Sequence, residues 1–264
     1  MRLYLAKLFQ NRFPAVVITA LLGLGPIHAW SQSDYLKESE AKARDLLGKS
    51  IQALGAEAYL KVGDVQRSGK YYSFRKDDLQ AGGPFQSFEK FPDKQRFEIG
   101  KKAEIVNIND GDKGWKIEYK VVKDQSPEEI SIFQKGLKHN LDNILKERLN
   151  EPGVKFRYEG RSRMDLGEVE AVQLIDKDND RVKIYINASS FLPAKIEFKS
   201  PGFGKRWPTE DVRHYYNYHS VQGVQFPFTT VRFSNGYKAS EFHLDAVTID
   251  QSLPDALFTP TYKK

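Results

Sequence analysis

The chain has 264 residues, with 41 Lys and Arg against 35 Asp and Glu, a formal net charge of +6. Three of those cations and no acid fall in residues 1–31, so the rest is close to neutral and lacks the clustered base of a nucleic-acid binder. With no cysteine at all, disulfides, zinc knuckles, thiol catalysis and a lipid-modified N-terminal Cys are excluded.

The first segment reads as an export signal. A cationic stretch over residues 1–12 precedes an apolar run from Phe13 to Gly25, the breaker Pro26, and small residues at Ala29 and Ser31. The apolar run is about 13 residues, too short to span roughly 30 Å of hydrocarbon as a helix. Cleavage after Ala29 or Ser31 is expected, giving a signal peptide over 1–31 and one domain over 32–264. The expected compartment is the periplasm.

From Ser33 to Leu54 the apolar residues Leu36, Ala43, Leu47, Ile51 and Leu54 fall near helical spacing, and Gly55 ends the run. After it the period switches to two. Strands are expected over 65–74, 85–91, 95–100, 104–109, 115–121, 154–161, 171–176, 181–187, 194–199, 212–218, 226–233 and 240–249. In two of them the alternation is clean: Val182, Ile184 and Ile186 oppose Arg181, Lys183 and Tyr185, and Ala194, Ile196 and Phe198 oppose Lys195, Glu197 and Lys199. Asp110-Gly111, Asp178-Asn179 and Asn235-Gly236 supply hairpin chemistry, since Asn and Gly tolerate positive φ. The strand spacing implies one antiparallel meander, long enough to curl into a barrel or part of one.

One helix is expected to interrupt the meander. Ser126-Pro127-Glu128-Glu129 provides a cap, a proline at the first helical position and acids for the helix dipole. Ile130, Phe133, Leu137, Leu141 and Ile144 then form a single apolar stripe, and Pro152-Gly153 stops the helix.

Motifs for chemistry are weak. Gly48-Lys49-Ser50 lacks the earlier glycine of a phosphate loop, where Ala43 stands, and reads as a solvated helix face. Asp176-Lys-Asp178-Asn-Asp180 opens like a calcium loop, but Arg181 and Asn187 replace its required Gly and Glu, so a polar hairpin turn is expected. His214 and His219, five apart on a strand, point to opposite faces and do not share a metal. No catalytic residue, metal or cofactor is assigned. The prominent feature is aromatic content of 12%, which serves equally as a filled core or as the wall of an apolar cavity.

Lys90-Phe-Pro-Asp-Lys-Gln-Arg-Phe97, followed by Ile105-Val-Asn-Ile-Asn-Asp-Gly-Asp-Lys-Gly-Trp115, resembles the LolA family of periplasmic lipoprotein carriers. Ile184-Tyr-Ile-Asn-Ala-Ser-Ser-Phe-Leu-Pro193, Val221-Gln-Gly-Val-Gln-Phe-Pro-Phe228 and Leu253-Pro-Asp-Ala-Leu-Phe-Thr-Pro260 are similar to that family's late strands, in the same order. The resemblance covers about residues 33–260. It implies a mainly β (α+β) fold, a single antiparallel sheet of about 11 strands curled into an unclosed half-barrel. An N-terminal helix and an inserted amphipathic helix would serve as lid. The family binds acyl chains and has no catalytic residues. Two departures stand out: the arginine that latches the carrier's lid is Phe91 here, and the chain ends four residues after Pro260.

The resulting expectation is a non-enzymatic, monomeric carrier of a lipid or lipoprotein acyl chain. It would exchange that cargo with inner-membrane release machinery and an outer-membrane acceptor, without nucleic acid. The same fold also serves as an envelope sensor that regulates a partner; an enzyme on envelope polymers is the third reading. The expected cavity wall is Phe97, Trp115, Ile117, Tyr119, Ile184, Ile186, Ile196, Phe198, Phe226 and Phe228. The expected lid is Ile130, Phe133, Leu137, Leu141, Ile144 and Phe91. With Phe91 in place of an arginine, closure is expected to rest on apolar contact alone.

Overall fold

The computed structural model describes residues 32–164, 167–201 and 208–260, so the expected signal peptide lies outside it. Helix α1 (Gln32–Leu54) starts one residue before Ser33, and α2 (Ala56–Lys61) follows after Gly55, whose φ of 130° breaks the first helix. Six strands come next: β1 (Asp64–Arg75), β2 (Asp78–Lys90), β3 (Lys94–Ile99), β4 (Ile105–Asp110), β5 (Lys113–Glu118) and β6 (Val121–Asp124). Helices α3 (Pro127–Lys138) and α4 (Leu141–Lys146) precede seven more strands. These are β7 (Lys155–Met164), β8 (Gly167–Ile175), β9 (Arg181–Asn187), β10 (Pro193–Pro201), β11 (Pro208–Val221), β12 (Val224–Ser234) and β13 (Tyr237–Ile249).

All thirteen strands form one antiparallel sheet in the order β6-β5-β4-β3-β2-β1-β13-β12-β11-β10-β9-β8-β7. The expected meander is therefore present, with the late hairpins joined to the early ones through β1 and β13. Asn235 and Gly236, at φ 50° and 81°, make the two-residue turn expected between β12 and β13. Register shifts interrupt the ladders at Ser68/Gly69, Ser73/Phe74, Tyr158/Gly160, Arg232/Phe233 and Pro193/Lys195. Such irregularities bend the strand and raise local twist, which curls the sheet. At the first of them a Cβ on Gly69 would lie 2.0 Å from the His243 carbonyl oxygen, so only glycine lets β1 and β13 approach there.

The sheet does not close. β6 and β7 are its two edges, and the chain between them runs as α3, α4 and a 3-10 turn (Arg148–Asn150) across the open side. Two expectations change here. The sequence pattern missed β6, because Val121–Asp124 is short and largely exposed. The single inserted helix is two, because the Asn140 side chain accepts hydrogen bonds from the backbone N–H of Asp142 and Asn143 and starts a new helix.

The two faces of the sheet bury different things. On the concave face, α1 inserts Ala43, Leu46, Leu47, Ile51 and Leu54 against Phe156, Val172, Ile184 and Ile186, and α4 adds Ile144 and Leu145. Burial of each large aliphatic side chain contributes about 1.5–3 kcal/mol. On the convex face, Val106 and Ile108 of β4 pack against Leu253 and Phe258 of the C-terminal segment. The register fixes this assignment: Val106 and Ile108 pair with Glu98 and Arg96, whereas the concave Gln95 and Phe97 pair with Asn109 and Asn107.

Candidate functional site: a lidded cavity on the concave face

A cavity of about 320 Å³ lies between the concave face and the start of α4. It is at the small end of the range for ligand pockets, about 300–1,000 Å³. Its wall comes from β1, β2, β3, β11, β12 and β13, closed by Leu54 of α1 and Asn140, Leu141 and Asp142 of the lid. One end is aromatic: Phe85, Phe97 and Phe242 pack mutually with Tyr71, ring centroids 4.9–6.0 Å apart.

The other end is polar. Arg67 Nη1 lies 2.7 Å from Glu89 Oε1, and Arg67 Nη2 lies 3.6 Å from Asp142 Oδ2, joining β1 and β2 to the lid. Burial lowers the Arg67 pKa, but Glu89 and Asp142 more than reverse this and hold its charge firmly in place. Tyr59 donates to Asp142 Oδ1 at 2.9 Å, and burial together with that carboxylate pushes its hydroxyl well above the ordinary tyrosine range. Arg213 also enters the wall, its guanidinium 5.1 Å from the Phe198 ring centroid. Burial lowers the Arg213 pKa, and burial pushes Tyr215, beside it, up to about 12.

The α3–α4 segment, the expected lid, is held by polar bonds of its own. Lys146 Nζ donates to the Val62 carbonyl at 2.9 Å and stands 3.8 Å over the Phe91 ring. Asn143 Nδ2 donates to the Pro92 carbonyl at 3.1 Å. At the far end, Asp176, Asp178 and Asp180 form the polar hairpin turn between β8 and β9. There Asp176 Oδ1 accepts from the N–H groups of Asp178 and Asp180, and its Oδ2 accepts from Arg148 at 3.0 Å. His139 Nε2 lies 2.7 Å from Asp180 Oδ2 while its ring stacks on Phe198 at 4.2 Å. Closure therefore does not rest on apolar contact alone. The cation comes from α4 and the aromatic ring from the turn between β2 and β3.

Of the expected wall residues, Phe97 and Phe226 line the cavity, as does Leu141 of the expected lid. Ile184, Ile186, Ile196 and Phe198 sit in the filled core with Leu46, Leu47 and Ile144 rather than at the cavity. Phe228 is half-buried against that core, with His219 edge-on to its ring at 4.6 Å. Trp115 and Ile117 require correction: they pair with Ile108 and Val106 and pack on the convex cluster. Tyr119 occupies the β5–β6 turn at φ 48° and is 79% exposed. On α3, Ile130, Phe133 and Leu137 are only half-buried, while Ile144 on α4 is fully enclosed. The sequence pattern passed over Phe85, Phe242, Arg67, Glu89, Asp142 and Arg213. A signal existed for the two arginines: Val65-x-Arg67 and Arg213-x-Tyr215 put a cation in phase with an inward-facing residue.

No protein-family model and no curated protein sequence matches this chain. Solved structures do match its fold. A LolA superfamily protein from Nitrosomonas europaea shares 15% identity over 83% of this chain and 97% of its own, with a TM-score of 0.53. A DUF1329 family protein from Desulfovibrio piger shares 12% over 84% and 97%, with a TM-score of 0.58. A structure described as an outer membrane lipoprotein-sorting protein domain, from Vibrio parahaemolyticus, shares 14% over 82% and 97%, with a TM-score of 0.51. The chain thus has the LolA-like fold, a single unclosed antiparallel sheet with helices across its open side.

Proposed function

We propose that this protein is an exported, monomeric binding protein that holds a lipid or lipoprotein acyl chain and carries it across the periplasm toward the outer membrane. The observation that supports this reading is the aromatic cavity between the concave face and α4. Methylene groups buried there contribute about 0.8 kcal/mol each, so a chain of several carbons binds without any covalent step. The polar bonds at both ends of the lid give it a closed state that can be undone without loss of the core. The export pattern of residues 1–31 supports a periplasmic location for the carrier. Cargo would be received from inner-membrane machinery and passed to an outer-membrane acceptor.

The test is mass spectrometry of organic extracts from protein purified from the periplasm without detergent. A lipid or acylated peptide present at close to one per protein is the expected result. Clean extracts, together with no binding of a fluorescent fatty-acid probe, would rule the carrier out.

A further inference from the structure

The cavity wall carries two guanidinium groups in unlike circumstances. Arg67 has its counter-charge within the protein, from Glu89 at 2.7 Å and Asp142 at 3.6 Å. Arg213 forms no ion pair among the described residues: its guanidinium hydrogen-bonds the Tyr215 side chain, lies against the Phe198 ring, and feels Asp211 only through space. Asp211, two residues away on β11, has Oδ1 accepting from Arg232 Nε at 2.7 Å. A half-buried guanidinium beside an apolar cavity is costly unless an anion meets it. Its planar fork is shaped for the two oxygens of a carboxylate or phosphate.

We propose that the cavity is selective for anionic amphiphiles, with Arg213 pairing a carboxylate or phosphate group while the alkyl chain lies against Phe85, Phe97 and Phe242. This rests on the carrier reading and sharpens it: a neutral chain would fit the aromatic end but leave Arg213 without a counter-charge. The Tyr215 hydroxyl, beside the guanidinium, offers a second polar contact to the same group. The depressed pKa of Arg213 agrees with a cation awaiting its counter-ion.

The experiment is displacement of the neutral fluorophore 1-N-phenylnaphthylamine from the purified protein by palmitate, lysophosphatidate, hexadecanol and inorganic phosphate. Palmitate and lysophosphatidate should compete at concentrations about tenfold or more below hexadecanol, the order expected for one charge-assisted contact. Inorganic phosphate alone should not displace the fluorophore. In Arg213→Gln the acid and the alcohol should converge to within about threefold, with hexadecanol unchanged, and Arg213→Lys, which keeps the charge but loses the planar fork, should lose part of the preference. Thermal melts establish that both variants are folded, and the partial loss in the Lys variant serves as the test if the Gln variant is not; an undiminished preference there would overturn the role of the guanidinium fork. Equal potency of palmitate and hexadecanol on the parent would overturn the anion preference and leave the carrier reading standing. A preference that survives in Arg213→Gln would overturn the role of Arg213. Failure of the fluorophore and of every amphiphile to bind would overturn both readings.

Discussion

Lys146 of α4 stands 3.8 Å above the ring of Phe91, in the turn between β2 and β3. The ammonium also donates to the Val62 carbonyl at 2.9 Å and lies 5.2 Å from the Tyr59 ring. An ammonium over an aromatic face is held by the ring quadrupole, worth about 0.5–2 kcal/mol depending on desolvation. These contacts tie α4 to the turn after β2 and to the segment before β1.

Substitution at either member should loosen the lid. Lys146→Met is expected to cost about 1–2 kcal/mol of stability and to speed release of a bound fatty-acid probe. Phe91→Arg should speed release as well, because it sets a second cation against Lys146. Stopped-flow release rates decide this, and a slower rate in Phe91→Arg would mean that the arginine finds a latch the parent lacks.

Binding and folding should separate between two sets of aromatic and aliphatic residues. Phe97→Ala, at the cavity, is expected to weaken probe binding about tenfold with a modest loss of stability. Ile184→Ala, fully enclosed, should cost about 2–5 kcal/mol with little change in affinity of the folded fraction. Paired chemical denaturation and probe titration measure both. Equal effects of the two on affinity would mean that the cavity extends into the core beside β9.

The convex cluster should matter only for stability. Phe258 is fully buried with Leu253, Val106 and Ile108 behind the cavity-lining strands. Phe258→Ala is expected to cost about 3–5 kcal/mol and to leave probe affinity unchanged. A loss of affinity in the folded variant would show that the C-terminal segment shapes the cavity through the sheet.

Acid should release the α3–α4 junction. Burial would raise the Asp180 pKa, but its bond to His139, with help from the Arg181 N–H, holds the carboxyl below its ordinary value. The stabilisation is therefore present above the unfolded pKa of about 3.9 and is lost as pH falls through the lower folded value. Hydrogen exchange over residues 127–148 should accelerate below about pH 4, ahead of β8 and β9. In Asp180→Asn that early step should be absent, with fast exchange already at neutral pH.

The amino-acid sequence by itself determined most of the elements, though not the short strand β6 or the break at Asn140 that divides α3 from α4. The 3.6-residue spacing of Ala43, Leu47, Ile51 and Leu54 makes α1, the capping box at Ser126 and Glu129 starts α3, and period-two alternation with Asn-Gly turns makes the meander. These are local signals, carried by neighbours in the chain. Only the tertiary structure decided which side of each strand faces the cavity. Trp115 and Ile117 alternate as cleanly as Ile184 and Ile186, yet the first pair lies on the convex face and the second on the concave one. A period of two is unchanged when the faces are exchanged, so its sense is set by what covers each side: α1 and α4 on one, Leu253 and Phe258 on the other. The same holds for the polar end of the cavity. Arg67, Glu89, Asp142 and Arg213 come from β1, β2, α4 and β11, and long-range strand pairing, with the return of the lid across the open side, brings them into one wall.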